Sequence, residues 1–439
     1  MHHLRRSRFL VDTRFENDGK ELRAVYHTIT KAFVLLHADD WSALSGDVSA
    51  NVDAAAADLL LDQSILVKED TDETAVFEHW KQQYVHDYST LKSKVLVTRK
   101  CNNRCRYCII DAEARDMTHE TAKLMDRFYM EMIDARQARK VVDDYSGGEM
   151  MLNSEVVLES AGRRFFFCKG KSIDYSFGVT TNGTLVKPSV ISELKEAGLK
   201  TLRVSLAGPA SVHDKLRPLR GGGKTYELIM DNLEAVSGMI PIVIECQYDS
   251  GSTGYREIPR MLDDLETRRI AVREIVFTPI VRRRQKKSYG NGMGDPAIYF
   301  GLVHEARRRG YLKGSAEPSN TCMADFKSRL VFDTDGSIIP CPGLQSGELV
   351  YGDVRRGIDF VAHSQILKRN LPDRCLNECE LLPICMGGCR LQSVVNGRRF
   401  DGFDCQYDLL KLVVEDHLVT RASEAVSMEK HRAEAPKAA

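Results

Sequence analysis

The sequence is short of several things, and each shortage excludes something. No apolar run approaches the roughly 20 residues that span a bilayer, so no membrane segment is expected. Charge of one sign is missing: 62 Lys and Arg balance 62 Asp and Glu, for a formal net charge of 0. That removes the bulk attraction to nucleic acid or anionic lipid. The opening "MHHLRRSRFL" is basic but lacks the apolar core of a secretory signal, so a cytoplasmic protein with neither nucleic-acid nor membrane partners is expected. There is no internal repeat. Composition is otherwise ordinary, with 43% hydrophobic and 28% charged residues, and 439 residues suffice for two to three domains with ample cores.

What is present is cysteine. Twelve occur, and in a long chain in a reduced compartment tight cysteine spacing points to metal rather than to disulfides. "CNNRCRYC" places Cys101, Cys105 and Cys108 in a C-x3-C-x2-C pattern, in a loop after the strand-like "SKVLVTRK". Three thiolates leave a four-iron cluster with one iron unligated by protein, and an open metal position is a place for chemistry. No nearby histidine completes a zinc site. Cys168 and Cys246 stand alone and read as packing residues.

Texture divides the chain into four stretches. Residues 1–90 mix strand-like "RFLVDTRF" and "ELRAVYHTIT" with helical "VDAAAADLLLD", suggesting a small α/β, winged-helix-like module. From 91 to 315, strands such as "KVVDDYSGGEM", "DYSFGVTTNGT", "LKTLRVSLAGP", "IPIVIECQYD" and "VREIVFTPIV" alternate with helices. Six such units predict a partial (β/α)6 barrel whose chemistry gathers at the C-terminal strand ends. Residues 316–415 are turn-rich and hold seven cysteines, with a hairpin expected around Asp335-Gly336. Residues 416–439 read as a flexible tail. The basic run "RRRQKK" (282–287) reads as a solvated loop.

Together these motifs resemble the radical S-adenosylmethionine enzymes. Tyr107 precedes the third cysteine, as in the family signature, and "SGGEM" resembles its GGE motif. The resemblance implies that Gly147, Gly148 and Glu149 meet the methionine amine of S-adenosylmethionine. "RVSLAGPASVHDKLRPLR" resembles a further family segment, which implies that Ser205 touches the ribose and Arg217 pairs with the carboxylate. Ala207 departs from the pattern, where Asp is common. Asn182-Gly183 of "TTNGT" reads as a turn. Such enzymes use a 5′-deoxyadenosyl radical to remove a hydrogen atom from substrate.

The remaining cysteines run C-x13-G-x4-C, then C-x3-C-x5-C-x3-C, then C-x15-C. This resembles the SPASM extension of the same superfamily, an iron–sulfur domain with two auxiliary [4Fe–4S] clusters, for three clusters in all. The resemblance implies one cluster on Cys322, Cys341 and Cys389, left with an open iron or a further ligand such as Asp325. It implies a second on Cys375, Cys379, Cys385 and Cys405. The C-x3-C at Cys375 replaces the usual C-x2-C. SPASM enzymes mostly modify peptides. The expectation is therefore a maturase of a ribosomally made precursor peptide, with a reductant such as ferredoxin or flavodoxin. Residues 1–90 weakly resemble leader-peptide recognition elements, and no catalytic side chain is assigned. Alternatives are an anaerobic sulfatase maturase, radical chemistry on a small molecule, or an electron carrier. Against the first, Pro342 stands where those maturases carry an acid after the cysteine. Against the last, a carrier needs no cofactor groove.

Overall fold

The computed structural model describes residues 3–45, 48, 52–108, 110, 115–280, 295–312, 317–344 and 347–434, the last six by backbone alone. The basic run 282–287 lies outside the described residues.

The N-terminal module opens with β1 (Leu4–Arg6), followed by β2 (Leu10–Asn17), β3 (Lys20–His27), β4 (Phe33–His37) and β5 (Leu66–Lys68). β2, β3 and β4 form an antiparallel sheet in that order, while β1 pairs with β5. The β2–β3 hairpin turns on Asp18 and Gly19, both with positive φ (49° and 76°), which matches the twist of a two-residue hairpin. One face of this sheet packs Val25 against Trp41, Leu44, Leu60 and Ile65 of the module itself. The other face packs Val11, Ala24 and Tyr26 against Leu410, Val414, Leu418 and Ala422. Those four residues lie on one helix, Tyr407–Glu434. The stretch expected to fray from residue 416 is helical to Glu434 because its apolar positions recur every four residues and find a sheet to cover.

The barrel follows the linking helix Glu73–Val85. Its strands are β6 (Thr90–Thr98), β7 (Lys140–Gly147), β8 (Asp174–Thr181), β9 (Leu199–Leu206), β10 (Ile242–Tyr248) and β11 (Val272–Pro279). All five pairings between neighbours are parallel, as the alternation of strands and helices predicts. Beyond β6 the sheet continues through β12 (Arg329–Phe332), β13 (Ser337–Ile339), β14 (Gly352–Asp353) and β15 (Gly357–Ile358). β12 joins β6 in parallel and turns back as the expected hairpin. The C-terminal region is thus a continuation of the barrel sheet. A buried ion pair fixes the junction: Arg99 donates to both oxygens of Asp333 at 2.9 and 2.6 Å, with side chains 0% and 1% exposed.

Strand alternation decides what the barrel offers. Val95, Val97, Val141, Phe177, Val179, Leu202, Val204, Ile244 and Cys246 sit in the core shared with the helices. Alternate residues point the other way, and they are polar: Lys94, Asp144, Thr180, Arg203, Ser205, Glu245 and Gln247. A closed barrel fills its interior with branched apolar side chains. This half-open one keeps a polar interior that a ligand can enter.

Candidate functional site

The first cysteine loop leaves the end of β6 and is stitched in place by backbone. Arg104 N–H donates to Pro218 O (2.7 Å), Arg106 N–H to Leu216 O (2.9 Å), and Arg220 N–H to Asn102 O (2.8 Å). The segment carrying Arg217 therefore runs beside the loop carrying Cys101, Cys105 and Cys108. Asn182 is more than a turn residue. Its Oδ1 accepts from Thr184 N–H, and its Nδ2 reaches Asn102 Oδ1 at 2.8 Å and Cys101 Sγ at 3.9 Å.

Cys101, Cys105 and Cys108 line one pocket of about 320 Å³ with Tyr107, Gly147, Gly148, Ser205 and Arg217. Arg217 is 6% exposed. Its Nη1 donates to Tyr107 Oη and Gln247 Oε1, both at 2.6 Å, and its Nε is buried without a partner. Burial opposes the charge, but Tyr107 and Cys105 outweigh it and hold the guanidinium protonated. Burial raises the Tyr107 hydroxyl above its ordinary range and pushes the Cys101 thiol up to about 11. A metal would reverse that preference, because coordination deprotonates a thiol.

Glu149 does not line the pocket. Its carboxylate, 1% exposed, accepts from Thr181 Oγ1 (2.6 Å), Asn182 N–H (2.6 Å) and Met151 N–H (3.0 Å). It holds the Asn182 turn that in turn holds the cysteine loop. Gly147 and Gly148 are required by the chain itself: a Cβ at Gly147 would lie 2.2 Å from Thr98 O, and one at Gly148 2.2 Å from Lys100 O. The strand end packs directly on the root of the cysteine loop. The His-Asp pair of the segment before Arg217 is likewise structural. His213 Nδ1 accepts Ala207 N–H, and Asp214 accepts the Thr225 and Tyr226 N–H groups.

The C-terminal cysteines gather into two groups. Burial pushes the Cys341 thiol up to about 12, and Cys322 and Cys389 add to the rise. Cys379, raised to about 11 by burial, feels Cys375 and Cys405. Cys385, raised to about 12 in the same way, feels Cys379 and Cys405. Asp325 is committed elsewhere through one oxygen: its Oδ1 accepts from Arg390 Nε and Nη2 at 2.9 and 2.7 Å. Its Oδ2 is buried without a hydrogen bond. Among the described residues, no three His, Cys, Asp or Glu side chains close around a single metal ion. Thiols that hold the corners of a four-iron cube stand farther apart than ligands of one ion, so the three gatherings fit clusters by donor type.

Lys94, Glu245 and Gln247 line the same pocket and were not singled out from the sequence. Their signal is a charged or amide residue every second position in an otherwise buried strand, as in "VIECQY". Pro342 and Gly343, next to Cys341, also reach this pocket.

Residues 95–246 match the family model described as the Radical SAM superfamily. The protein carries a radical SAM domain. Such a domain makes the chain an enzyme that uses S-adenosylmethionine and a [4Fe–4S] cluster. Among curated relatives, an Fe-coproporphyrin III synthase of Methanosarcina barkeri is 26% identical over 42% of this chain, and the match spans 43% of that relative's length. A GTP 3′,8-cyclase of a Sulfurovum species is 24% identical over 64% of this chain and 88% of its own. Among solved structures, anSMEcpe with bound AdoMet shares the fold at a TM-score of 0.57, with 16% identity over 76% of this chain and 99% of its own. Streptococcus suis SuiB bound to precursor peptide SuiA does so at 0.53, with 15% identity over 92% of this chain and 99% of its own. No helix among the described residues is long and apolar enough to cross a membrane.

Proposed function

We propose that the radical SAM enzyme is a cytoplasmic maturase of a ribosomally made precursor peptide, with a SPASM-type C-terminal domain. In this reading Cys101, Cys105 and Cys108 hold the cluster that binds S-adenosylmethionine. Arg217 pairs with the carboxylate of the cofactor, and Ser205, Tyr107, Gly147 and Gly148 form its wall. The cofactor supplies hydrogen-atom abstraction. The chain binds, orients and excludes water. Two auxiliary clusters sit on Cys322, Cys341 and Cys389, and on Cys375, Cys379, Cys385 and Cys405, and a ferredoxin or flavodoxin supplies electrons.

The observation that carries the peptide reading is the edge of the N-terminal sheet. β4 (Phe33-Val34-Leu35-Leu36-His37) pairs with β3 on one side and, among the described residues, has no strand on the other. It holds no proline and no charged residue before His37. Edge strands are normally blunted by such residues, and a bare edge suits an added peptide strand. The similarity to SuiB, a structure solved with its precursor peptide, covers 92% of this chain and so takes in part of the module. The relatives named for GTP support a second reading, radical chemistry on a small molecule.

The test is anaerobic. The reconstituted protein receives S-adenosylmethionine, a strong reductant, and either a short peptide encoded beside the gene or GTP, and 5′-deoxyadenosine is quantified. Peptide-dependent formation, lost in Cys105→Ala and Arg217→Ala, supports maturation. Formation that GTP stimulates and the peptide does not favours the small-molecule reading.

A further inference from the structure

Among the described residues, Glu245 is the one carboxylate lining the pocket shared by the first cysteine loop, Arg217 and Pro342. The other charged groups described around it are committed or lie deeper. Lys94 Nζ sits 2.6 Å from Asp144 Oδ2, and Asp144 Oδ1 also accepts from Thr180 Oγ1 at 3.1 Å. Glu245 and Asp144 together keep the Lys94 ammonium protonated against the pull of burial. Arg217 is held by Tyr107 and Gln247. Arg203 lies two residues earlier on β9 than Ser205, the residue in register with Glu245, and does not line the pocket. The Glu245 carboxylate feels Lys94 across the lumen, but the close ion pair of Lys94 is to Asp144, and among the described residues no side-chain hydrogen bond or contact ion pair holds Glu245.

Depth separates Glu245 from the cofactor contacts. It precedes Gln247 by two residues on β10, and so lies about 6.6 Å deeper along the strand at ~3.3 Å per residue. Gln247 is the residue that touches Arg217 and Tyr107. A carboxylate kept half-buried with no group in hydrogen-bond contact is costly unless a ligand supplies one. A cation or strong donor on the substrate meets that need, and a charge-assisted bond of this kind is both strong and selective.

We propose that Glu245 anchors a cationic side chain of the substrate, lysine or arginine, below the cofactor. This inference rests on the peptide reading and narrows it: the core segment presented to the barrel carries a basic residue at or next to the reacting position.

The probes are the blocked tripeptides Ac-Ala-Lys-Ala-NH2 and Ac-Ala-Nle-Ala-NH2, together with cadaverine. Each is titrated calorimetrically into reconstituted, cofactor-loaded protein, wild type and Glu245→Gln. The lysine peptide should bind at least tenfold more tightly than its norleucine twin, and Glu245→Gln should erase that difference. Equal binding of the two peptides by the wild type overturns the anchor and leaves peptide maturation to its own test. Cadaverine binding without peptide binding keeps the anchor and overturns the peptide reading. A tenfold loss of S-adenosylmethionine affinity in Glu245→Gln assigns the carboxylate to the cofactor and overturns the proposal. Glu245→Asp, which keeps the charge, should retain part of the lysine preference.

Discussion

The barrel site and the C-terminal cysteine region hold thiols by different means. In the barrel, Cys101, Cys105 and Cys108 sit on a loop rooted in a nine-residue strand, pinned by backbone bonds to the Arg217 segment and by Glu149 through Asn182. Its core exists without the thiols. Beyond Cys341, regular elements before residue 407 are strands of two residues and helices of four to eight. There the thiols belong to the packing. Cys341 and Cys389 lie against Leu344, Leu391 and Val395, and Cys375 and Cys379 against Phe9, Phe77 and Leu382. Isolated helices this short are unstable in water, so under the proposed function such a region would depend on its clusters as small metallodomains do. In the proposed reading, one site would use a metal that a finished fold presents, and the other would use metal to finish the fold.

Iron removal should separate the two most strongly. After anaerobic chelation, amide hydrogen exchange should lose about two orders of magnitude of protection across 341–405, while β6–β11 change several-fold at most. Equal loosening of both regions would break the comparison.

The joint between the regions comes next. Asp333→Asn leaves the fully buried Arg99 without its carboxylate. Breaking a buried pair by removing one partner costs about 3–5 kcal/mol, so denaturant unfolding should shift by that amount. Because Arg99 lies two residues before Cys101 and Asp333 begins the turn to β13, both regions should loosen together here, unlike on iron loss.

Acid should act on the module through His27, as it does on the barrel through the buried His213, whose pKa burial also lowers. His27 Nδ1 accepts Thr30 N–H (3.1 Å), so Nε2 carries the proton toward Ser7 Oγ (3.1 Å), which donates to Glu73. Burial lowers its pKa to about 4, with Glu73 opposing. The unfolded chain, near 6.5, binds more protons than the native one between these values. The contribution is therefore complete above pH 6.5 and is lost as pH falls toward about 4, up to roughly 3 kcal/mol at 1.36 per unit. Stability measured from pH 7 to 4.5 should show this slope, and His27→Gln should reduce it, leaving the part that His213 contributes.

Much of this was legible in the sequence, for physical reasons. The six βα units declare themselves by alternation, and the cysteine groups by their spacing. Cys246 read correctly as packing because it stands alone. The fate of residue 416 onward was hidden, since a polar, Ala-rich helix shows its apolar stripe only when the sheet it covers is known, and that sheet begins some 400 residues earlier. The inward bonding of Glu149 was not legible, because a GGE triplet specifies a motif but not which way its carboxylate turns. Glu245 was overlooked because one charge in an apolar strand marks a lumen only once the barrel gives the strand two faces.

The smallest effect tests how tightly the module belongs to the C-terminal region. Tyr26 Oη donates to Glu317 at 2.7 Å, and Thr28 Oγ1 donates at 2.8 Å to the carbonyl of Glu380, the residue after Cys379. Tyr26→Phe and Thr28→Val each remove one such bond, worth about 1 kcal/mol. Singly they should barely move global unfolding. Together they should raise hydrogen exchange in β2 and β3 and around Cys379, where module and cluster segment share the joint, and leave β6–β11 unchanged. Exchange that rises in the module alone would show that the helix Tyr407–Glu434 carries the attachment, and that the cluster segment is indifferent to what docks on it.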